Sequence, residues 1–203
     1  MRRRWPRPGL GHGFGPWMLL AEALLLISLI AGAVSAGSLP ESIQREVEQS
    51  LSLPEGNLAG GDELLAAALR RNLVQSAVPA WLLGLSLAGF PLALGILAWR
   101  GFQVGFAAGF LWDWAGGTQR VALLALVPHN LLALPALSVL AVALARLSSR
   151  VVLGLWRGRP IPRAGLLADS LAAGGATVAL VGASYIEAYV TPRIVGLAFQ
   201  LLG

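Results

Sequence analysis

The sequence predicts an all-α membrane protein, a polytopic bundle of about five transmembrane helices, with a range of four to six and with broken or short helices in the 74–145 region. Hydrophobic residues make up 56% of the chain and the mean hydropathy is +0.70. Only 12% of the residues are charged, whereas soluble domains carry about 25%. Several apolar stretches also reach about 20 residues, the length that crosses a hydrocarbon core. One membrane domain therefore accounts for most of the 203 residues.

The charged residues indicate membrane topology and argue against nucleic-acid binding. All fifteen basic residues are Arg, and the formal net charge is +5. They lie between apolar runs, whereas a nucleic-acid site places them in a patch with interleaved aromatic residues. Cysteine is absent, which excludes disulfides, thiolate metal sites and thiol nucleophiles.

The N-terminal region combines a basic arm with a first hydrophobic helix. Residues 1–16 contain Arg, Gly and Pro without an apolar period and are expected to be a cytoplasmic arm. Residues 17–36 form the first predicted transmembrane helix. A signal peptide competes, since Val34 and Ala36 imitate a cleavage site. The apolar run exceeds a usual signal sequence and contains Glu22, which favours an uncleaved helix.

Residues 37–72 form the one substantial polar segment and are expected to be extracytoplasmic and helical. Six of the ten acidic residues lie here. Ser38 and Pro40 indicate a helix start, and the apolar stripe of Ile43, Val47 and Leu51 predicts a short helix lying on the membrane or on a partner. Pro54 and nearby Gly residues end it, and Asp62 caps a second helix that leads into the bundle at 73–203.

The hydrophobic block Leu73–Ala115 is too long for one crossing and predicts two helices. We place a cytoplasmic turn at Trp99 and Arg100, which leaves a short crossing, 101–115, that either spans or is re-entrant. A turn at 89–91 is the second choice. It would put Arg100 at membrane depth, which is unfavourable without a buried partner.

The rest of the bundle consists of two further crossings and a basic loop. Residues 121–145 form one crossing, and residues 146–163 form a loop with five Arg. Residues 166–190 form the last crossing, followed by an interfacial tail at 194–202. With this arrangement ten Arg lie on the cytoplasmic side and five outside. The positive-inside rule then predicts a cytoplasmic N-terminus and an extracytoplasmic C-terminus.

A glycine stripe is the clearest packing motif. Gly101, Gly105 and Gly109 recur every four residues and share one face of a helix, beside a stripe of Phe residues. Small residues allow a second helix backbone to approach closely. The expected neighbour is another helix of the same chain, and contact with a second copy, giving a homo-oligomer, is the alternative.

Two further motifs place polar residues in or beside apolar runs. The first is a kink or polar core at Pro128, His129, Asn130 and Pro135. Its His and Asn side chains can satisfy backbone groups there, or else line a path for a solute or proton. The second is a candidate external contact at Glu187, Tyr189 and Pro192. Its carboxylate is either an ordinary interfacial group or the partner of Arg120, Arg193 or another protein.

Catalytic motifs are missing from the sequence. His12 and His129 are the only histidines, and neither fits the His-Glu-x-x-His spacing of a zinc protease. The stretch 84–89 misses the Gly-x-Ser-x-Gly pattern of serine hydrolases by one residue. Asp113 and Asp169 fall at predicted helix ends and serve as topological markers. We therefore expect no enzymatic activity, no metal and no cofactor.

Three segments in order resemble the stage II sporulation protein M family. The first runs from Leu83 to Pro91 and continues through 101–110, the second is Val127–Ala136 and the third is Ile186–Pro192. Many members of the broader family have Pro-His-Gly followed by a Glu. This chain has Asn130 and Ala133 there, so no role of that acid can be transferred.

The resemblance implies a non-enzymatic membrane scaffold for peptidoglycan remodelling during forespore engulfment. Its implied partners are the lipid bilayer and stage II sporulation proteins D and P, which are cell-wall hydrolases. Its implied location is the sporulation septum and the engulfing membrane. The alternative is a membrane subunit of a small-solute transporter, because broken helices with polar residues at mid-membrane are also typical of solute paths.

Overall fold

A computed structural model describes residues 14–40, 42–43, 61–84, 86, 89–113, 119–158 and 163–202. The arm at 1–13 and the stripe residues Val47 and Leu51 lie outside these ranges. All regular structure in the described ranges is helical. The α-helices are α1 (Gly15–Gly37), α2 (Gly61–Leu69), α3 (Val78–Gly84), α4 (Gly89–Asp113), α5 (Gln119–Arg157), α6 (Arg163–Tyr185) and α7 (Thr191–Leu202).

Two π-helical segments join these elements into longer helices. Arg70–Ala77 connects α2 to α3, and Ile186–Val190 connects α6 to α7. We refer to the resulting continuous helices as helix 61–84 and helix 163–202. The predicted boundary between residues 72 and 73 lies inside helix 61–84.

Four helices of the described chain are long and apolar enough to cross a membrane. They are Gly15–Gly37, Pro91–Trp112, Leu123–Trp156 and Arg163–Leu197. Helix 61–84 is the fifth long helix, and Arg70, Arg71 and Asn72 at its centre lower its hydropathy. The predicted all-α membrane bundle is confirmed, whereas the number of crossings stays a prediction.

Helices α1 and α4 form a parallel pair held by small residues. An added Cβ at Gly101 would lie 2.9 Å from the Leu25 side chain, and one at Gly109 would lie 2.6 Å from the Ala33 carbonyl oxygen. At Gly105 it would collide with the backbone of Leu29. The glycine stripe therefore packs against a helix of the same chain. Phe102, Phe106 and Phe110 stack beside it, with ring centroids 6.2 and 6.4 Å apart.

Helix α5 occupies the centre of the bundle. Leu137, Leu140 and Leu144 are almost completely buried, together with several alanines of the same helix. Because lipid is as apolar as leucine, close van der Waals packing holds such helices together, and alanine permits it. The helix is continuous through Pro128 and Pro135. Asn130 Nδ2 donates to the carbonyl oxygen of Leu126 within the helix, at 2.8 Å, so its side chain binds a backbone group, as one interpretation of the motif expects.

The predicted turn at Trp99 and Arg100 is wrong, since α4 runs through both residues. The chain reverses between Gly84 and Gly89, close to the position ranked second. Gly84 lies against Leu144, and a Cβ at Gly89 would meet the carbonyl oxygens of residues 83 and 84 at 2.5 and 2.6 Å. Ser148 Oγ donates to the Ser86 carbonyl oxygen at 2.8 Å and ties this turn to α5.

The predicted basic loop at 146–163 is largely helical. Helix α5 continues to Arg157, so Arg146 and Arg150 lie on a helix that extends well beyond the expected crossing. Both Arg side chains bind Asp169 on α6, which explains why the helix can continue. Gly158 follows with φ of +58°, a conformation that suits glycine at the end of a helix.

Candidate functional site

A group of buried and half-buried polar side chains lies where helix 61–84, α4, α5 and helix 163–202 meet. We call this group the polar centre. Charged and polar side chains inside a membrane bundle are unfavourable unless they bind one another, and they mark functional sites. Its members are Arg71, Asn72, Arg100, His129, Asn130, Ser184 and Glu187.

The ion pair of the polar centre joins the two π-helical segments. Arg71 lies in Arg70–Ala77 and donates to Glu187, which lies in Ile186–Val190. Two hydroxyls bind carbonyl oxygens of these segments five residues earlier in the chain: Ser76 binds the carbonyl oxygen of Arg71, and Thr191, the first residue of α7, binds that of Ile186. Short π-helical segments occur frequently at functional sites because they redirect side chains. Because each segment carries one residue of the ion pair, this region is the candidate functional site.

A chain of hydrogen bonds continues from the ion pair into the core. Arg100 donates to Asn72 Oδ1 at 3.2 Å, and Asn72 Nδ2 donates to Ser184 Oγ at 3.0 Å. All three side chains are buried. The 89–91 turn is ranked second from the sequence because that turn would put Arg100 at membrane depth without a buried partner. Asn72 is such a partner. The neutral amide makes the 84–89 turn compatible with a buried guanidinium.

A cavity of about 400 Å³ opens beside the polar centre, between the Arg70–Ala77 segment, α4 and α5. Arg71, Arg100, His129 and Asn130 line it, and aromatic residues of α4 complete its wall. Within the described ranges, His129 Nδ1 and Asn130 Oδ1 are buried without a hydrogen-bond partner. Ligand pockets have volumes of this order and combine apolar walls with a few polar groups.

A second charged cluster lies at the other end of the bundle. Asp169 is only 3% exposed and binds Arg146 at 3.3 Å and Arg150 at 3.0 Å. Arg146 also lies over the ring of Phe14, 4.9 Å from its centroid. The sequence interpretation of Asp169 as a topological marker stabilised by water or a helix end is therefore wrong. This carboxylate joins α5 to α6.

Of the three residues predicted to form an external contact, one binds inside the bundle and two are exposed. Glu187 binds Arg71, which is neither of the two arginines proposed from the sequence. Tyr189 donates its hydroxyl to Asp62 Oδ1 at 2.8 Å and stacks on Tyr185. Pro192 is exposed on α7. Tyr189 and Pro192 thus lie at the end of the bundle where helix 61–84 begins, and Tyr185 lies one helical turn further in.

Sequence reasoning missed three of the seven residues of the polar centre. Arg71 and Asn72 were assigned to the external segment, and Ser184 was not predicted as part of any polar group. The available signal was a polar triplet, 70–72, directly followed by a long apolar run. In the described part of the chain, no three His, Cys, Asp or Glu side chains are grouped as a metal site requires.

The fold and the polar centre define a helical membrane protein with an open, ligand-sized cavity beside a group of charged and polar side chains. The family model described as stage II sporulation protein M matches residues 21–192. The chain therefore belongs to the stage II sporulation protein M family. The matched range contains every residue of the polar centre. No curated protein and no solved structure matches the chain significantly.

Proposed function

We propose that this sporulation membrane protein is a non-enzymatic scaffold that anchors peptidoglycan-degrading enzymes during forespore engulfment. The observation that carries the proposal is the family match over residues 21–192. The proposed partners are stage II sporulation proteins D and P, and the proposed location is the septum and the engulfing membrane. A scaffold needs a rigid surface more than a reactive site.

The arrangement of the helices supports the proposed orientation. Contacts pair residues 62 with 189, 71 with 187, 72 with 184 and 81 with 177, so helices 61–84 and 163–202 are antiparallel. The parallel pair α1 and α4 fits a chain that alternates direction through the membrane. With the N-terminus in the cytoplasm, the end bearing Asp62 and Tyr189 faces outward, towards the cell wall.

The outward end in this orientation offers an exposed aromatic surface. Tyr185 is 51% exposed and Tyr189 is 36% exposed, and their rings stack with centroids 6.1 Å apart. The hydrogen bond to Asp62 and the neighbouring ion pair hold this end in one conformation. Aromatic residues on a rigid support are favourable anchors for a protein partner.

Site-specific photocrosslinking in sporulating cells tests the proposal. A photoreactive phenylalanine analogue at Tyr185 should crosslink to a cell-wall hydrolase. The matched control is the same analogue at Trp156. This residue is 87% exposed near the C-terminal end of α5, on the cytoplasmic side in this orientation, and should not crosslink to a hydrolase. Deletion of the gene should also stop engulfment in fluorescence images. Normal engulfment in the deletion strain, with no hydrolase crosslinked at Tyr185, would contradict the scaffold.

A transporter subunit is the rival function, and the cavity beside Arg100 and His129 is the observation that favours it. A transporter requires that the polar centre carry a solute, whereas a scaffold requires only the outward surface. Comparing Tyr185→Ala with Arg100→Met in engulfment assays separates them. The scaffold predicts the larger defect for Tyr185→Ala, and the transporter predicts the reverse.

A further inference from the structure

We propose that the cavity beside the polar centre binds the phosphate group of an anionic membrane lipid. This inference is independent of the scaffold proposal, because it concerns the interior of the bundle and not its outward surface. It starts from a charge that the described residues leave without an opposite partner.

Arg100 is the charge in question. It is 8% exposed and donates to the neutral Asn72 amide, and no carboxylate of the described ranges forms an ion pair with it. The one carboxylate of the polar centre, Glu187, binds Arg71. Two guanidinium groups and one carboxylate leave one positive charge. Buried charges are normally paired, so the cavity is suited to a single negative charge.

The groups around Arg100 favour phosphate as the anion. The Arg71 Nε atom is buried without a partner, and Gln75 and His129 also line the cavity with groups that can donate hydrogen bonds. Donors therefore come from helix 61–84, α4 and α5. A phosphate has more acceptor oxygens than a carboxylate and binds guanidinium groups through paired hydrogen bonds. Convergent donors from three helices match that geometry.

The wall of the cavity indicates that the anion carries an apolar chain. Trp99, Phe102 and Phe106 lie in a row along α4, with successive ring centroids 6.1 and 6.2 Å apart, and all three line the cavity. Trp99 is 62% exposed, so the aromatic row reaches the outer surface of the bundle. A surface of this kind accommodates an acyl or prenyl chain alongside α4. A small soluble anion would leave this aromatic surface uncovered.

The cavity lies within the membrane-spanning part of the helices. Leu126 lies roughly 10 Å, and His129 roughly 15 Å, from the start of α5 at about 1.5 Å per residue. Half of a hydrocarbon core is about 15 Å thick. The cavity thus lies within one leaflet, nearer to the end of the bundle that carries Asp62. A lipid of that leaflet can reach the cavity along the exposed aromatic side chains of α4.

Thermal unfolding of the full chain in neutral detergent tests the proposal. Dioleoyl phosphatidylglycerol should raise the Tm of the unmodified protein by about 5 °C. Diacylglycerol, which lacks the phosphate, and inorganic phosphate, which lacks the chain, should each give a much smaller shift. Native mass spectrometry should show phosphatidylglycerol retained by the protein. A full shift with inorganic phosphate would overturn the assignment to a lipid.

Two variants locate the site. Arg100→Met should weaken lipid binding at least about tenfold, since a charge-assisted contact is removed. Gln75→Glu adds a carboxylate at an exposed position of the cavity wall and should also abolish the shift, even if Arg100→Met fails to fold. Arg70→Met, an exposed neighbour of Arg71, is the control and should keep the full shift. An unchanged shift in Gln75→Glu would overturn the proposal.

Discussion

Two helix pairs in this bundle are joined by opposite means. Helices α1 and α4 run parallel, and glycines bring their backbones into direct contact. Helices 61–84 and 163–202 run antiparallel, and a series of polar side chains connects them from Asp62 and Tyr189 to Trp81 and Thr177. The first pair is held by close backbone contact at glycines, which have no side chain, and the second pair by hydrogen bonds and an ion pair between specific side chains. The glycine-packed pair anchors α1, and the polar pair orders the cavity.

The difference shows how α4 serves both purposes. One face of α4 presents Gly101 and Gly105 to α1, and other positions of the same helix place Arg100 and Phe106 at the cavity. A change on the glycine face should therefore act on assembly of the bundle, whereas a change in the polar pair should act on local order and ligand binding. The following predictions test this division, from the largest effect to the smallest.

Gly105→Leu should have the largest effect. The new side chain would collide with the backbone of Leu29, which cannot move aside as a side chain can. We expect a loss of stability of about 3 kcal/mol or more and little folded protein in detergent extracts, measured by fluorescence-detected gel filtration.

Gly95→Leu is the matched control for this prediction. Gly95 lies on the same helix, and an added Cβ there would meet no atom within 4 Å. The control should give near-normal amounts of folded protein. Equal recovery of both variants would show that the α1–α4 contact does not depend on glycine.

Glu187→Gln should have an intermediate effect on the polar pair. It removes the one carboxylate of the polar centre and leaves Arg71 beside Arg100 without an opposite charge. Because the Arg71 side chain is 37% exposed, we expect a loss of about 2 kcal/mol, below the value for a fully buried pair. Glu63→Gln, at an exposed carboxylate of helix 61–84, is the control. Matching Tm values for the two variants would argue against a stabilising role of the ion pair.

Trp81→Phe should have the smallest effect of the three. It removes the hydrogen bond from Trp81 Nε1 to Thr177 Oγ1, which spans 3.1 Å, and retains most of the aromatic packing. A loss of about 1 kcal/mol is expected from thermal unfolding. Thr177→Val removes the same bond from the other side, so the double variant should lose no more of this contact than either single variant. Fully additive losses would show that the two residues act separately.

Much of the fold follows from sequence patterns, and the errors share one cause. Long apolar stretches identified three of the four membrane-length helices, and the spacing of Gly101, Gly105 and Gly109 identified a close helix contact. The turn at Trp99 and Arg100 was placed by avoiding a charge at membrane depth. That rule assumes an unpaired charge, and Asn72 provides a partner from another helix. Asp169 was misread for the same reason, because its two arginines lie on α5.

The sequence by itself determined the class of protein, its helical composition and its family, because hydropathy, glycine spacing and short motifs are local properties of the chain. Only the tertiary structure decided which polar residues are buried together. Arg71 meets Glu187 across 116 positions of sequence, and Asn72 meets Ser184 across 112. Such contacts depend on the register between helices. That register results from packing over the whole bundle, so no local pattern predicts it.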